Sequence, residues 1–242
     1  MSNLEFKLAI ENLSESVSPN RFENKRKNFW CNTITAGFNI AKFFYRFSAE
    51  GTENLPKNGP ALILPKHQCY SDTVIINSII KNTTGRFASY LMKSGLPDWM
   101  EYLGGFKFIT PIDYKKLIDK LGVENARKFT REFNKESYAK LQWFFENNEI
   151  VVMYPEGRIS PKKMSPIRGG PWRVLSEIQE RIEQSIPLIP VGIEYGKLYK
   201  EKKPLPPTTI NVRFGEPRYL RGNDLEETYL GIWEDIRKLS NL

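Results

Sequence analysis

Hydrophobic and polar positions along this chain follow two different periods. Between Phe29 and Phe47, the residues Trp30, Ile34, Phe38, Ala41 and Tyr45 recur every three or four places, which predicts one amphipathic helix. Asn32, Asn39, Lys42 and Arg46 interrupt it, so it falls short of the ~20 mainly apolar residues that cross a bilayer. Two fates stay open for its bulky face, with Phe43, Phe44 and Phe47: lying on a membrane surface, or packing on its own domain's core.

A cluster of turn formers from Glu50 to Pro60 follows, and then a short apolar run, Ala61 to Pro65, predicts a buried strand. From Asp72 to Lys81 the pattern is helical, with Ser71 or Asp72 placed to cap it. Further strands are expected at Phe87 to Met92, Gly104 to Ile109, Ile150 to Tyr154, Ile186 to Ile193 and Thr209 to Phe214. Helices are expected at Pro97 to Leu103, Val123 to Asn147 and Trp172 to Ser185, and an exposed loop at Lys200 to Pro207. This alternation predicts an α/β fold, a mainly parallel sheet covered by helices with an N-terminal amphipathic helical extension. Residues 1–47 would be a leader and membrane-docking helical segment, and 48–242 one α/β domain.

Charge narrows the partners. Lys and Arg outnumber Asp and Glu by 36 to 28, giving a formal net charge of +8, which favours nucleic acid, anionic lipid or an acidic carrier, unless it only solvates the surface. The two cysteines, Cys31 and Cys69, lie far apart and suggest neither a zinc cluster nor a disulfide framework, consistent with a reducing compartment. The leader carries Glu5, Glu11 and Glu15 and lacks the basic-then-apolar pattern of a secretory signal.

The chain has one histidine, His67, so any imidazole chemistry near neutral pH rests on it. Asp72 follows five positions later; on a continuous helix two such side chains would diverge by about 140°, and only a turn brings them together. That turn is available where the strand ending at Pro65 passes into the helix beginning at Asp72, the edge at which open α/β sheets place ligands. A second strand end, Tyr154-Pro155-Glu156-Gly157-Arg158, repeats the arrangement: glycine permits close backbone approach and a guanidinium forks around phosphate. Taken singly, each has a structural alternative, a lone packed histidine and a turn with a surface ion pair.

These blocks resemble the glycerophospholipid acyltransferases typified by 1-acylglycerol-3-phosphate acyltransferase. The first family block, a histidine and an aspartate separated by four residues, is matched by His67 to Asp72; the third by Tyr154 to Ser160; the fourth by Ile186 to Val191. Flanking pieces, Glu50-Gly51 through Pro60 and Phe214 to Pro217, agree in order and spacing. Lys66 stands where many members have asparagine, Arg158 comes one place early, and the second block is only loosely matched by Gly104 to Asp113.

The resemblance implies acyl transfer from a thioester, acyl-CoA or acyl-carrier protein, to the hydroxyl of lysophosphatidic acid, giving phosphatidic acid. His67 would be the general base and Asp72 its partner; Arg158 with Lys107 would bind the acceptor's phosphate, Glu156 would orient a hydroxyl or the loop, and amides near Gly157 would meet the oxyanion. No cofactor or metal is implied, and the partners would be a membrane surface at its cytoplasmic face, the lysophospholipid and the acyl donor, with no nucleic acid. Open alternatives are another acceptor, such as glycerol 3-phosphate or a different lysolipid, a covalent acyl-Cys69 intermediate, and a non-catalytic headgroup-binding module.

Overall fold

The structure is a computed structural model and describes residues 26–108, 111–161, 163–165, 170–197, 199–200, 203–204, 206–220 and 225–242. Most of the expected leader, up to residue 25, Ile109 at the end of an expected strand, and parts of the expected loop at Lys200 to Pro207 lie outside them.

In chain order the main elements are α1 (Asn28–Ala41), β1 (Arg46–Glu50), β2 (Ala61–Pro65), α2 (Asp72–Thr84), β3 (Ala88–Lys93), β4 (Gly105–Phe108), α3 (Pro111–Leu121), α4 (Val123–Glu146), β5 (Ile150–Val152), α5 (Gly170–Ile182), β6 (Leu188–Tyr195), β7 (Tyr199–Lys200), β8 (Lys203–Pro204), β9 (Thr209–Phe214) and α6 (Leu225–Leu239). Seven strands form one sheet in the order β1-β9-β6-β2-β5-β3-β4. Only the β6–β9 pair is antiparallel, so the sheet is mainly parallel. β7 and β8 pair antiparallel as a separate two-stranded sheet that overlaps the segment expected to be loop.

Every residue of β2 is buried because the central strand is covered on both faces. Ile63, Val152 and Val191 meet Ile75, Ile76, Ile79 and Ile80 of α2 on one face. On the other, Leu62, Leu64 and Val151 meet Leu141, Phe144 and Phe145 of α4, Trp172 and Leu175 of α5, and Ile232 and Ile236 of α6. Gly192 lets α6 close against β6: a Cβ there would lie 2.2 Å from the carbonyl carbon of Leu239, so any side chain would force the helix away.

The helix expected over Phe29 to Phe47 ends instead at Ala41. A 3-10 turn spans Lys42–Phe44, and β1 then pairs in parallel with β9, so the boundary drawn between residues 47 and 48 falls inside a strand. Tyr45, Phe47 and Ala49 pack on the α2-side core, alternating with Arg46, Ser48 and Glu50. This period of two was hidden because Tyr45 also continues the helical stripe. Part of the helix packs on its own domain: Cys31 and Thr35 are buried, and Asn39 and Asn82 exchange side-chain hydrogen bonds that tie α1 to α2. Phe29, Trp30, Ile40, Phe43 and Phe44 are nevertheless exposed, Phe43 at 88%. Among the described residues no helix is long and apolar enough to cross a membrane.

Candidate active site

β2 and β5 are neighbours and run in parallel, so the loops after Pro65 and Val152 leave the same edge of the sheet. His67 lies in the first loop, and Asp72, the first residue of α2, folds back toward it. The Asp72 carboxylate is fully buried; Oδ2 is 2.9 Å from His67 Nδ1 and accepts from the backbone N–H groups of Gln68 at 2.6 Å and Cys69 at 2.8 Å. The helix cap expected of Ser71 or Asp72 is not made by a side chain, because the carboxylate is spent on this turn.

Oδ1 accepts from the Tyr195 hydroxyl at 2.6 Å. Tyr195 is at the end of β6, which flanks β2 on the side away from β5. Burial and the charge of Asp72 push this phenol well above the ordinary tyrosine range, so it remains a neutral donor. A carboxylate can only accept, so His67 Nδ1 carries the proton and Nε2 presents its lone pair. The ring is stacked on Tyr154, with centroids 4.0 Å apart, and Tyr154 is itself fixed by a 2.9 Å contact between its hydroxyl and Thr73 Oγ1. Edge and face of the imidazole are thus both held, while its side chain keeps 17% exposure.

The second loop turns at Gly157, whose φ of 63° suits glycine and whose N–H donates to Tyr154 O at 3.0 Å. That amide closes the turn, so an oxyanion would have to be met by other donors. Glu156 is buried with both oxygens in use: Oε1 is 2.6 Å from Lys66 Nζ, and Oε2 accepts from Ser165 N at 2.7 Å. Of the two roles open to it, these contacts serve the loop rather than a substrate hydroxyl. Lys66 Nζ also donates to Ser160 O at 2.6 Å, and Ser160 N donates to His67 O at 2.8 Å, so the two loops are bolted together beneath the dyad. Burial draws the Lys66 ammonium below the ordinary lysine range, and the Glu156 contact opposes that shift.

Arg158 is exposed; its Nε donates to Ser165 Oγ at 3.0 Å, which steadies the guanidinium without pairing it to a carboxylate among the described residues. Lys107 is not brought to the dyad. It stands on the edge strand β4, separated from β5 by β3, and its ammonium is paired with Asp98.

Cys69 is buried, 2.9 Å from the Tyr195 hydroxyl and 3.1 Å from Asp72 Oδ1. Burial and the Asp72 charge push its thiol up to about 12, and the residue has no exposed surface, so both its ionisation and its access to a substrate count against the covalent route. Sequence reasoning missed Tyr195, Tyr154 as a stacking partner, and the Lys66–Glu156 pair. Only Tyr195 left a signal, as the aromatic residue two places past the expected end of the strand Ile186 to Ile193.

A family model described as Acyltransferase matches residues 46–194. Among solved structures, the 1-acyl-sn-glycerophosphate (LPA) acyltransferase PlsC from Thermotoga maritima is similar at 18% identity and a TM-score of 0.54, covering 88% of this chain and 80% of that one. At that identity the likeness speaks for the fold. No curated protein matches the chain.

Proposed function

The chain belongs to the acyltransferase family, and from that premise we propose that it moves a fatty acyl group from an acyl thioester to the hydroxyl of lysophosphatidic acid, giving phosphatidic acid. The observation that carries this reading is the 2.9 Å contact between His67 Nδ1 and Asp72 Oδ2, on the same sheet edge as the guanidinium fork of Arg158. His67 Nε2 takes the acceptor's hydroxyl proton as the oxygen bonds to the thioester carbonyl carbon. The tetrahedral oxyanion collapses, the carbon–sulfur bond breaks, and the departing thiolate recovers the proton from the imidazolium. Asp72 stabilises that imidazolium, and Tyr195 helps hold Asp72 in place. The solved relative's acceptor, named in its description, supports the lysophospholipid choice.

The test is turnover by the purified chain with an acyl thioester and a panel of acceptors: lysophosphatidic acid, glycerol 3-phosphate, and lysolipids with larger headgroups. Phosphatidic acid from the first is the expected product. Better turnover of the others would transfer the reading to them, and none at all would favour a headgroup-binding module. Arg158→Ala should raise KM for phosphate-bearing acceptors by about 10–100-fold, the worth of one charge-assisted hydrogen bond, with kcat less affected. An unchanged KM would remove Arg158 from the acceptor site.

The lysolipid would be collected from a membrane, at its cytoplasmic face. The exposed aromatic group Phe29, Trp30, Phe43 and Phe44 beside Lys42 supports the membrane contact. Phe43→Glu/Phe44→Glu should abolish flotation with anionic vesicles while leaving the fold's thermal transition in place. Equal flotation would refute the surface.

A further inference from the structure

A second surface lies on the other side of the sheet. α3, α4 and α5 enclose a groove of about 790 Å³ whose floor includes Tyr138 and Ile178. Four cations line it, Arg127, Arg131 and Lys135 from α4 and Arg181 from α5, against one carboxylate, Glu177. Among the described residues none of the four has an ion pair. The three on α4 are spaced i, i+4, i+8, a row with a step of about 6 Å along one helix face.

We infer that this groove docks an acidic helix of a carrier protein that bears the acyl thioester; the inference rests on the acyltransferase reading and names its donor. A linear row of charges over an apolar floor fits a helix with carboxylates at the same repeat better than it fits a single phosphate. The lipid surface is elsewhere: α1 packs on α2, over the opposite face of the sheet from α4 and α5. A membrane held by α1 therefore leaves the groove facing away from it. Ser137 and Tyr138, past the middle of α4, meet Lys107 and Phe108 at the end of β4, and the helix finishes at Phe144 and Phe145 beside the start of β5, so its cationic first half lies toward the catalytic edge.

The test uses the full chain and its Arg131→Glu/Lys135→Glu variant, with palmitoyl-acyl carrier protein and palmitoyl-CoA as alternative donors to lysophosphatidic acid. With the carrier donor, kcat/KM should fall about ten-fold or more, through KM and less at high salt, because steering by charge is lost. With the CoA donor it should be unchanged, which also reports an intact fold. Equal losses with both donors, or no loss with the carrier, would overturn the docking surface. So would loss of anionic-vesicle binding with carrier kinetics intact, which would make the groove a lipid contact. A wild type using CoA alone also overturns it but leaves the proposed function standing; one using neither donor sinks the proposed function. Direct titration of the holo carrier onto wild type and variant then reads the groove without turnover.

Discussion

His67→Ala should lower acyl transfer by about 10²–10⁴-fold, the usual worth of a positioned general base, and leave the thermal transition nearly unmoved. No second imidazole exists to take over. The fold should survive because Asp72 keeps the two backbone donors and the Tyr195 hydroxyl after the ring is gone, so no buried charge is stranded. Acceptor KM should change little, since Arg158 is untouched. Initial rates on matched, folded samples check this, and added imidazole, which can enter the space beside Tyr154, should restore part of the rate. A variant that retains a tenth or more of wild-type turnover would sink the general-base assignment.

Breaking the Lys66–Glu156 pair should have the largest effect on stability. Both side chains are almost wholly buried, at 0% and 1% exposure, and Lys66→Met leaves a carboxylate with no counter-charge in the interior. Such losses cost about 3–5 kcal/mol. For a chain of this size that is roughly a 6–20 °C fall in melting temperature. Lys66→Met/Glu156→Gln should recover much of it, since the remaining cost is a lost contact rather than a stranded charge. Calorimetry of the single and double variants decides the matter: a single variant within about 1 kcal/mol of wild type would mean the pair is hydrated and carries no such role. Activity should fall beyond the loss of folded fraction, because the same pair anchors the loop whose Ser160 amide holds the His67 carbonyl.

Where the sequence carried one period at a time, it was readable. Ala61–Pro65 and Thr209–Phe214 match expectation to the residue, because a five-residue apolar run bounded by turn formers is too short for a buried helix and a strict alternation reads only as strand. Arg46–Glu50 was hidden because its first aromatic neighbours served two periods at once. α3 and α6 went unassigned, although α6 supplies Ile232 and Ile236 to the core. The dyad was legible because its two members are five residues apart in one turn. The supports were not, since Tyr195 is 123 residues from Asp72 and Glu156 is 90 from Lys66, and only the strand order brings them together. Lys107 shows the converse: its motif placement was plausible, yet β3 lies between its strand and β5.

Surface loops ordinarily absorb an added residue at little cost, because lengthening a flexible connection changes closure entropy only slightly. The turn from His67 to Asp72 is different, since one carboxylate gathers two successive amides and the ring that precedes them. The spacing there is a matter of reach: with a fifth residue between them, the aspartate could satisfy the amides or the imidazole, but not both. A single-residue insertion between positions 67 and 72 would thus act as a catalytic lesion even though it replaces no side chain.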